Sequence, residues 1–486
     1  MLRPLTTALA AVLLCGTAAA ASPDDTTRAS SAAKPSRYMQ DPYPSTYRVI
    51  AAAPVLIRNA TVLTGTGERL DGADVLMQDG KVFAVGPALQ APVDAIRVDG
   101  SGKWVTPGVI DVHSHLGVYP SPGVSAHADG NEATGAVTAN VWAEHSVWPQ
   151  DPGFAKAMAG GITSLQVLPG SANLVGGRGV TLKNVPATSY QAMKFPGAPW
   201  GLKMACGENP KRVYGQKTGP ATRMGNVAGY RAAFIDASEY LRKNAKQDAA
   251  PKQRRWWQSA SNGNGADSEK DTGGKRDLKL DTLAGAINGD ILVHIHCYRA
   301  DEMSTMLDLA REFGFKIAAF HHGVEAYKIA DRLAAEGVCG ALWADWWGFK
   351  MEAFDGIQEN IAIVDRPANS CAIVHSDSEE GIQRLNQEAA KVIAHAKLAN
   401  IDIAPERAIR WLTQNPAKAL GILDRTGTLE AGKMADVVLW SGNPFSVYAK
   451  AEQVYIDGAR VYDRFDATRQ PTSDFMLGQS VQGGAL

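Results

Sequence analysis

Cysteine is scarce in this sequence, with five residues in a chain of 486. Cys15 lies in the N-terminal apolar run, and the other four are far apart: Cys206, Cys297, Cys339 and Cys371. Their spacing matches no zinc knuckle, and three of them lie in apolar, strand-like runs. We therefore expect small buried thiols rather than a disulfide framework.

The sequence also lacks an excess of charge of either sign. Its formal net charge is −1, with 20% charged and 45% hydrophobic residues, so no overall field favours nucleic acid or an anionic membrane. It contains no helix-turn-helix, zinc finger or aromatic RNA-binding motif, and no stretch after the N-terminus is apolar enough to cross a bilayer. We expect a small-molecule substrate as partner, no nucleic acid, and no membrane span in the mature form.

Residues 1–21 have the pattern of a secretory signal peptide. Arg3 gives a positive start, Ala8–Cys15 a short apolar run, and Ala18–Ala21 a small-residue cleavage region. The run is too short to span a bilayer as a mature helix. We therefore expect a periplasmic or secreted protein in which residues 22–53 form a flexible lead-in.

Two β-rich blocks stand near opposite ends of the chain, at residues 54–106 and 425–465. The first contains Asp79-Gly80 and the second Asp457-Gly458, each a hairpin-turn pair between strand-like runs. Neither block is large enough to bury a good core alone. We predict one small β domain, a β-sandwich, assembled from both ends of the chain.

Between these blocks, residues 107–424 alternate short apolar runs with helical stretches. Eight runs are candidate strands: Val109–His115, Gly161–Leu168, Gly179–Lys183, Leu202–Ala205, Ile291–His296, Lys316–His322, Cys339–Trp343 and Cys371–Asp377. This alternation predicts an α/β fold with a (β/α)8 TIM barrel, whose catalytic groups collect at the C-terminal strand ends. Residues 243–279 read as an inserted surface excursion, and residues 466–486 as a loose tail.

Two histidines end the first of these strands. Because side chains alternate along a strand, His113 and His115 point to the same side, and two imidazoles there can hold one divalent ion. A His-x-His pair alone is weak evidence. Its support is the set of candidate ligands at later strand ends, namely Lys203, His296, His322 and Asp377.

Lys203 lies inside the fourth apolar strand, where a lysine is costly unless it is paired or modified. Carbamylation of its amine by carbon dioxide would give an anionic oxygen pair able to bridge two metal ions. The alternatives are a lysine that points outward between helices, and Glu208 as a competing carboxylate.

The sixth strand ends in His321-His322, and because adjacent residues point oppositely, at most one of them is a strand-borne ligand. His294 and His296 share a face of the fifth strand, and His296 is nearer its end. Asp377 can bind a metal and exchange a proton with water.

The stretch Pro107–His115 resembles the signature of the amidohydrolase superfamily of metal-dependent hydrolases. Similar phrases occur at residues 160–163, 168–170, 415–417 and 427–436, and the closest resemblance is to the imidazolonepropionase-like branch. The resemblance implies two divalent ions of zinc type. It places the first on His113, His115 and Asp377 and the second on His296 and His322, with Lys203 bridging them as its carbamate and Asp377 as the catalytic proton carrier.

These features predict an exported amidohydrolase that cleaves a C–N bond in an amide, peptide-like or cyclic amide substrate. The alternatives are a single-metal deaminase or imidazolone-type hydrolase on the same fold, and a non-catalytic barrel that serves as a binding module. The oligomeric state stays open, a homo-oligomer included.

Four residues near the strand ends are candidates for contact with the substrate: Tyr298, Arg299, Trp343 and His375. Arg299 could bind a substrate carboxylate through two hydrogen bonds, and its alternative is a surface ion pair with Asp301 or Glu302. His375 stands where the superfamily often has a small residue, so it could instead support the metal ligands.

Overall fold

Strands from both ends of the chain form one hydrogen-bonded sheet. The computed structural model describes residues 36, 38, 40–217, 219–249, 276–346 and 348–470. Numbered in chain order, the strands of this sheet are β1 Val55–Leu63, β2 Arg69–Gln78, β3 Lys81–Gly86, β4 Ile96–Asp99, β5 Trp104–Pro107, β14 Val437–Trp440, β15 Ala451–Ile456 and β16 Ala459–Asp463. Their order is β16-β15-β14-β5-β1-β2-β3, with β4 paired to β1. Because these strands belong to one sheet, the predicted β-sandwich is not confirmed.

Both Asp-Gly pairs turn hairpins of this sheet. Asp79 and Gly80 join β2 to β3 with φ of 53° and 74°, and Asp457 and Gly458 join β15 to β16 with φ of 47° and 76°. Positive φ at both central positions is the geometry that Asp-Gly favours in two-residue hairpin loops.

A second sheet of eight strands forms the barrel. Its strands are β6 Val109–Ser114, β7 Ile162–Val167, β8 Val175–Lys183, β9 Gly201–Ala205, β10 Leu292–His296, β11 Ile317–His321, β12 Cys339–Leu342 and β13 Ala372–Val374. All eight predicted strands are present. The N–H of Asp377 donates to the carbonyl of His113 at 3.0 Å, so the ends of β13 and β6 meet where the barrel closes.

One strand departs from the predicted parallel barrel. β8 runs antiparallel to both of its neighbours, β7 and β9. Only residues 168–174 join β7 to β8, and a parallel return needs a crossover of a dozen residues or more. The fold is therefore TIM-barrel-like, with one reversed strand.

Helices cover the outside of the barrel and follow most of its strands. They are α1 Pro152–Ala159, α2 Tyr190–Met193, α3 Glu208–Tyr214, α4 Arg223–Ala249, α5 Leu278–Ile287, α6 Ala300–Phe313, α7 Ala330–Glu336, α8 Asn360–Val364, α9 Leu385–Leu398, α10 Pro405–Ala408 and α11 Gln414–Ala419. Asp151 caps α1 by accepting the N–H of Gly153 at 2.9 Å, with Pro152 in the first helical position. In the part of the chain that the structure describes, every helix is too short or too polar to span a bilayer.

Parts of the predicted lead-in and insertion make defined contacts or belong to a helix. Thr46 donates its N–H to Gln191 at 2.9 Å, and Tyr47 donates its hydroxyl to Asp457 at 2.5 Å. Helix α4 continues to Ala249, inside the predicted excursion 243–279. The predicted signal peptide 1–21, residues 250–275 and residues 471–486 lie outside the described residues.

The expectation of free thiols is wrong, because four cysteines form two disulfides. Cys206 bonds to Cys297, and Cys339 bonds to Cys371. Residues far apart in sequence become opposite neighbours when their strands pair: Ala205 faces His296, and Gly340 faces Ala372. Cys206 and Cys297 follow the first of these pairs, and Cys339 and Cys371 precede the second. Their Cα atoms are 5.2 Å and 4.5 Å apart.

Candidate metal centre

Three ligand atoms from β6 and the loop after β13 form a nearly equilateral triangle. The Nε2 atoms of His113 and His115 lie 3.3 Å apart. Oδ1 of Asp377 lies 3.3 Å from the first and 3.2 Å from the second. The alternation along β6 puts both imidazoles on one side, and the barrel closure brings Asp377 to them.

These spacings fit a divalent ion of zinc size. Tetrahedral zinc with Zn–N distances of about 2.0–2.1 Å separates its ligand atoms by about 3.3–3.4 Å. The three edges of the triangle match that separation. Three protein ligands leave a fourth position for water or substrate, as catalytic zinc sites do.

The second nitrogen of each histidine has a partner that orients the ring. Nδ1 of His115 lies 2.9 Å from the carbonyl oxygen of Leu168, to which it donates. Nδ1 of His113 lies 2.9 Å from Nδ1 of His321. His321 is therefore behind His113 in the barrel interior, whereas Nε2 of His322 lies 3.6 Å from Oδ2 of Asp377. Of the two adjacent histidines, His322 is the one beside the triangle.

A second group of imidazoles adjoins the triangle. Ring nitrogens of His113, His322 and His375 lie within 4.8 Å of one another, and the rings of His296 and His322 have centroids 4.9 Å apart. His296, His322 and His375 each keep a buried Nδ1 with no hydrogen-bond partner among the described residues. Within the described ranges, His322 and His375 could share an ion with His113, whereas His296 lies outside that group.

Lys203 points into the barrel, so the outward-pointing alternative is wrong. Its side chain is 0% exposed, and its Nζ lies 2.9 Å from the carbonyl oxygen of Pro169 and 3.5 Å from Nε2 of His113. Burial lowers the pKa of Lys203 to about 7, with partial opposition from Asp377. Glu208, the competing carboxylate, lies 3.4 Å from the ammonium of Lys350 instead.

Asp111 connects β6 to the loop after β13 where the barrel closes, and the sequence analysis did not identify it. Its Oδ1 accepts the N–H of His113 at 3.1 Å and the N–H of Ser376 at 3.2 Å. The Ser376 hydroxyl donates to its other oxygen. Burial raises the pKa of Asp111 to about 7, against the effect of these hydrogen bonds. An aspartate within a buried apolar strand was the signal that could have identified it.

Aromatic side chains line one side of the site. Trp343 stacks on His322 with centroids 4.3 Å apart and on Trp346 at 5.2 Å. Tyr298 packs edge-on against His296 at 4.6 Å, and burial raises its pKa. The site opens to solvent beside the triangle, because the side chains of His115 and Asp377 are 20% and 23% exposed.

Arg299 and Lys350 differ in how they relate to the site. Arg299 is 41% exposed and pairs with Asp301 at 2.9 Å, which is the surface ion pair named as its alternative role. The ammonium of Lys350 lies 4.5 Å from the ring centre of Tyr298 and 3.2 Å from Oδ1 of Asn209. Nδ2 of Asn209 is in turn 3.4 Å from Nε2 of His296. Lys350, which the sequence did not single out, is the cation beside the centre.

Known proteins resemble this chain over most of its length. Amidohydrolase tasK of Hapsidospora irregularis is 33% identical over 448 residues, which are 84% of this chain and 43% of that protein. The chain thus spans less than half of that relative. Imidazolonepropionase of Mesorhizobium japonicum is 24% identical over 428 residues, 82% of this chain and 93% of that protein.

A solved structure and a family profile agree with these relatives. The crystal structure of an amidohydrolase from Thermotoga maritima MSB8 has 36% identity and a TM-score of 0.73, and the match covers 84% of this chain and 100% of that one. The profile described as "Amidohydrolase family" matches residues 382–462.

Proposed function

This chain belongs to the amidohydrolase superfamily, and from that premise we propose that it is a metal-dependent hydrolase of carbon–nitrogen bonds in small amide or peptide-like substrates. The observation that carries the proposal is the triangle of His113, His115 and Asp377, whose edges of 3.2–3.3 Å match the ligand spacing of tetrahedral zinc.

The residues of the centre divide the chemistry between them. A divalent ion bound there would polarise the substrate carbonyl and make water acidic enough to attack it near neutral pH. Asp377 carries the proton, because its Oδ2 remains outside the triangle, 3.6 Å from His322. A carboxylate so placed can accept a proton from the attacking water and release it to the leaving nitrogen.

We further propose a second ion and a carbamylated Lys203. The neutral amine of Lys203 would form an N–C bond to carbon dioxide as one C=O π bond opens, and its proton would pass to water. The resulting carbamate would be a further anionic ligand of the centre. A buried lysine whose pKa is lowered to about 7 supplies the neutral amine that this reaction requires. His322 would hold the second ion with His296, with His375, or with both, since each keeps an unpartnered buried nitrogen.

The surroundings favour a substrate with an apolar side chain and a free carboxylate, such as a dipeptide or an N-acyl amino acid. Trp346 and Phe349, beside Trp343, are 43% and 56% exposed, which leaves aromatic surface for an apolar group. Lys350, whose ammonium also lies 3.4 Å from Glu208, supplies the positive charge for the carboxylate.

Export to the periplasm or beyond is also part of the proposal. Two disulfides in one chain are typical of proteins that fold in an oxidising compartment, and this agrees with the secretory pattern of residues 1–21. Sequencing the N-terminus of protein recovered outside the cytoplasm tests it, since cleavage after residue 21 or nearby is expected.

A single-metal deaminase or imidazolone-type hydrolase is the second candidate. The triangle is complete without Lys203, and an imidazolonepropionase is among the similar proteins. In that case His322 orients the substrate or takes a proton instead of binding an ion.

Metal analysis of purified protein separates the two candidates. If the proposal is correct, the wild type binds two equivalents of zinc per chain and retains them only with bicarbonate. The variant Lys203→Met should lose one equivalent of zinc and its activity. Lys156→Met, which changes an exposed lysine of α1, is the matched control. One equivalent in the wild type and an active Lys203→Met enzyme would establish the second candidate. Activity would be screened with dipeptides, N-acyl amino acids and lactams.

A further inference from the structure

Three histidines and a glutamine form a buried line that leads away from the candidate metal centre. Nδ1 of His113 lies 2.9 Å from Nδ1 of His321, and Nε2 of His321 lies 2.9 Å from Nδ1 of His294. Nε2 of His294 then lies 3.4 Å from the side-chain nitrogen of Gln166. All four side chains are buried. They come from β6, β11, β10 and β7, so the line crosses the barrel interior.

The number of hydrogens on the ring nitrogens limits the arrangements that this line can adopt. Two ring nitrogens 2.9 Å apart share one hydrogen, because one must donate and the other must keep its lone pair. His321 takes part in two such contacts. As a neutral ring it donates in one contact and accepts in the other, and the same alternation passes on to His294. With neutral rings, two arrangements of the hydrogens satisfy the line, and they run in opposite directions.

A metal ion selects one direction. If Nε2 of His113 binds an ion, its hydrogen is on Nδ1 and is donated to His321. His321 then donates from Nε2 to His294, and His294 carries its hydrogen on Nε2, facing Gln166. Without an ion the reverse arrangement is available, in which Gln166 donates and Nε2 of His113 donates to Asp377, 3.3 Å away.

Gln166 can end the line in either direction. Its amide carries both a donor and an acceptor, and its Oε1 has no partner among the described residues. A half-turn of the amide would place Oε1 next to His294. The side chain can therefore donate to His294 in one arrangement and accept from it in the other.

We propose that His321, His294 and Gln166 form a reversible positioning relay for the metal ligand His113. Metal binding sets the hydrogens of the relay in one direction, and metal removal reverses them with rotation of the Gln166 amide. His115 provides the internal comparison, since it donates to a backbone carbonyl that cannot reverse. The relay depends on the metal centre proposed above.

Imidazole tautomers measured by ¹⁵N NMR test the relay directly. With the full-length protein labelled at histidine and loaded with zinc, His321 and His294 are expected to carry their hydrogen on Nε2. After zinc is removed, both are expected to carry it on Nδ1. Unchanged tautomers, or a ring protonated on both nitrogens, would overturn the relay while leaving the metal centre intact. Failure of the wild type to bind zinc would instead overturn the metal centre.

Zinc affinity of two variants gives a second readout. His321→Leu leaves the N–H of His113 without an acceptor, and we expect zinc affinity to fall by about 10- to 100-fold. His321→Asn keeps an acceptor near the Nδ1 position and should stay within about threefold of the wild type. Equal loss in both variants would mean that His321 only fills space. If neither variant folds, the wild-type spectra still decide.

Discussion

Cys206 and Cys297 are bonded to each other one residue beyond the ends of β9 and β10. These strands carry Lys203 and His296, which face the candidate metal centre. The other disulfide, between Cys339 and Cys371, joins β12 and β13 at their N-terminal ends, away from the centre. The two bonds therefore offer a matched pair, one next to the site and one remote from it.

Removing the disulfide near the site should weaken both stability and metal retention. Cys206→Ala with Cys297→Ala is expected to lower the free energy of unfolding by about 2–5 kcal/mol. It should also weaken zinc binding, because the two strands that position His296 and Lys203 lose their covalent link. Guanidinium unfolding and zinc competition with a chromophoric chelator measure the two effects.

The remote pair is the control. Cys339→Ala with Cys371→Ala should cost a similar amount of stability and leave zinc affinity unchanged. If both pairs change zinc affinity equally, the bond near the site has no special relation to the metal ligands.

Lys183 should be essential for the joint between the barrel and the small sheet. Its ammonium lies 3.1 Å from Asp436 and 2.8 Å from Asp457, and all three side chains are buried. Lys183→Met leaves two carboxylates without their cation, so we expect a loss of about 3–5 kcal/mol in denaturant unfolding. Adding Asp457→Asn should recover part of that loss. An unchanged midpoint for Lys183→Met would show that the cluster contributes nothing net.

Zinc-free protein should lose stability as the pH falls below about 6.5. Burial lowers the pKa of His294 to about 3 and that of His375 to about 4. Because the unfolded rings take up protons at higher pH than the folded ones, the stability present above pH 6.5 is lost towards these values. Asp111 acts in the opposite sense, since its pKa is raised to about 7 and its contribution is lost as pH rises. Burial also lowers the pKa values of His113, His296, His321 and His322. The histidines therefore outweigh Asp111, and we expect a net loss of at least about 2 kcal/mol between pH 6.5 and 4.5.

Urea unfolding of the zinc-free protein at several pH values measures this loss. The variant His375→Asn removes one of the two histidines and should reduce the slope by about 1.4 kcal/mol per pH unit. A wild-type midpoint that rises on acidification would mean that the carboxyl group dominates.

The features of the fold that depend on the local residue pattern of one strand were predictable from the sequence. Each barrel strand is a short apolar run, and the two-residue alternation alone put His113 and His115 on one side. The direction of β8 follows from the short connection 168–174, and not from the pattern of its own residues. Predictions that depend on one strand at a time therefore succeeded.

Features that depend on two strands at once were not predictable in this way. Cys206 and Cys297 meet only because β9 and β10 pair in one register. Asp111 contacts Ser376 only because the barrel closes between β6 and β13. The line from His113 through His321 to His294 requires that inward-pointing side chains of three different strands lie next to one another. Composition and spacing carry no information on these registers.

Substrates with a free carboxylate should depend on Lys350 and not on Arg299. Lys350 lies over Tyr298 and is linked through Asn209 to His296. Its ion pair with Glu208 is 3.4 Å long, whereas Arg299 makes two hydrogen bonds to Asp301 at 2.9 Å and 3.0 Å. A hydrogen bond to a charged group contributes about 1.5–3 kcal/mol, so Lys350→Met should raise KM by roughly 10- to 100-fold with kcat nearly unchanged. Arg299→Met should leave both constants as they are. Steady-state kinetics on one dipeptide and its C-terminal amide test this. With the amide, which has no carboxylate, the wild type and Lys350→Met should have the same KM. An equal effect on both substrates would show that Lys350 shapes the site through its contacts with Tyr298 and Asn209 and does not bind a carboxylate.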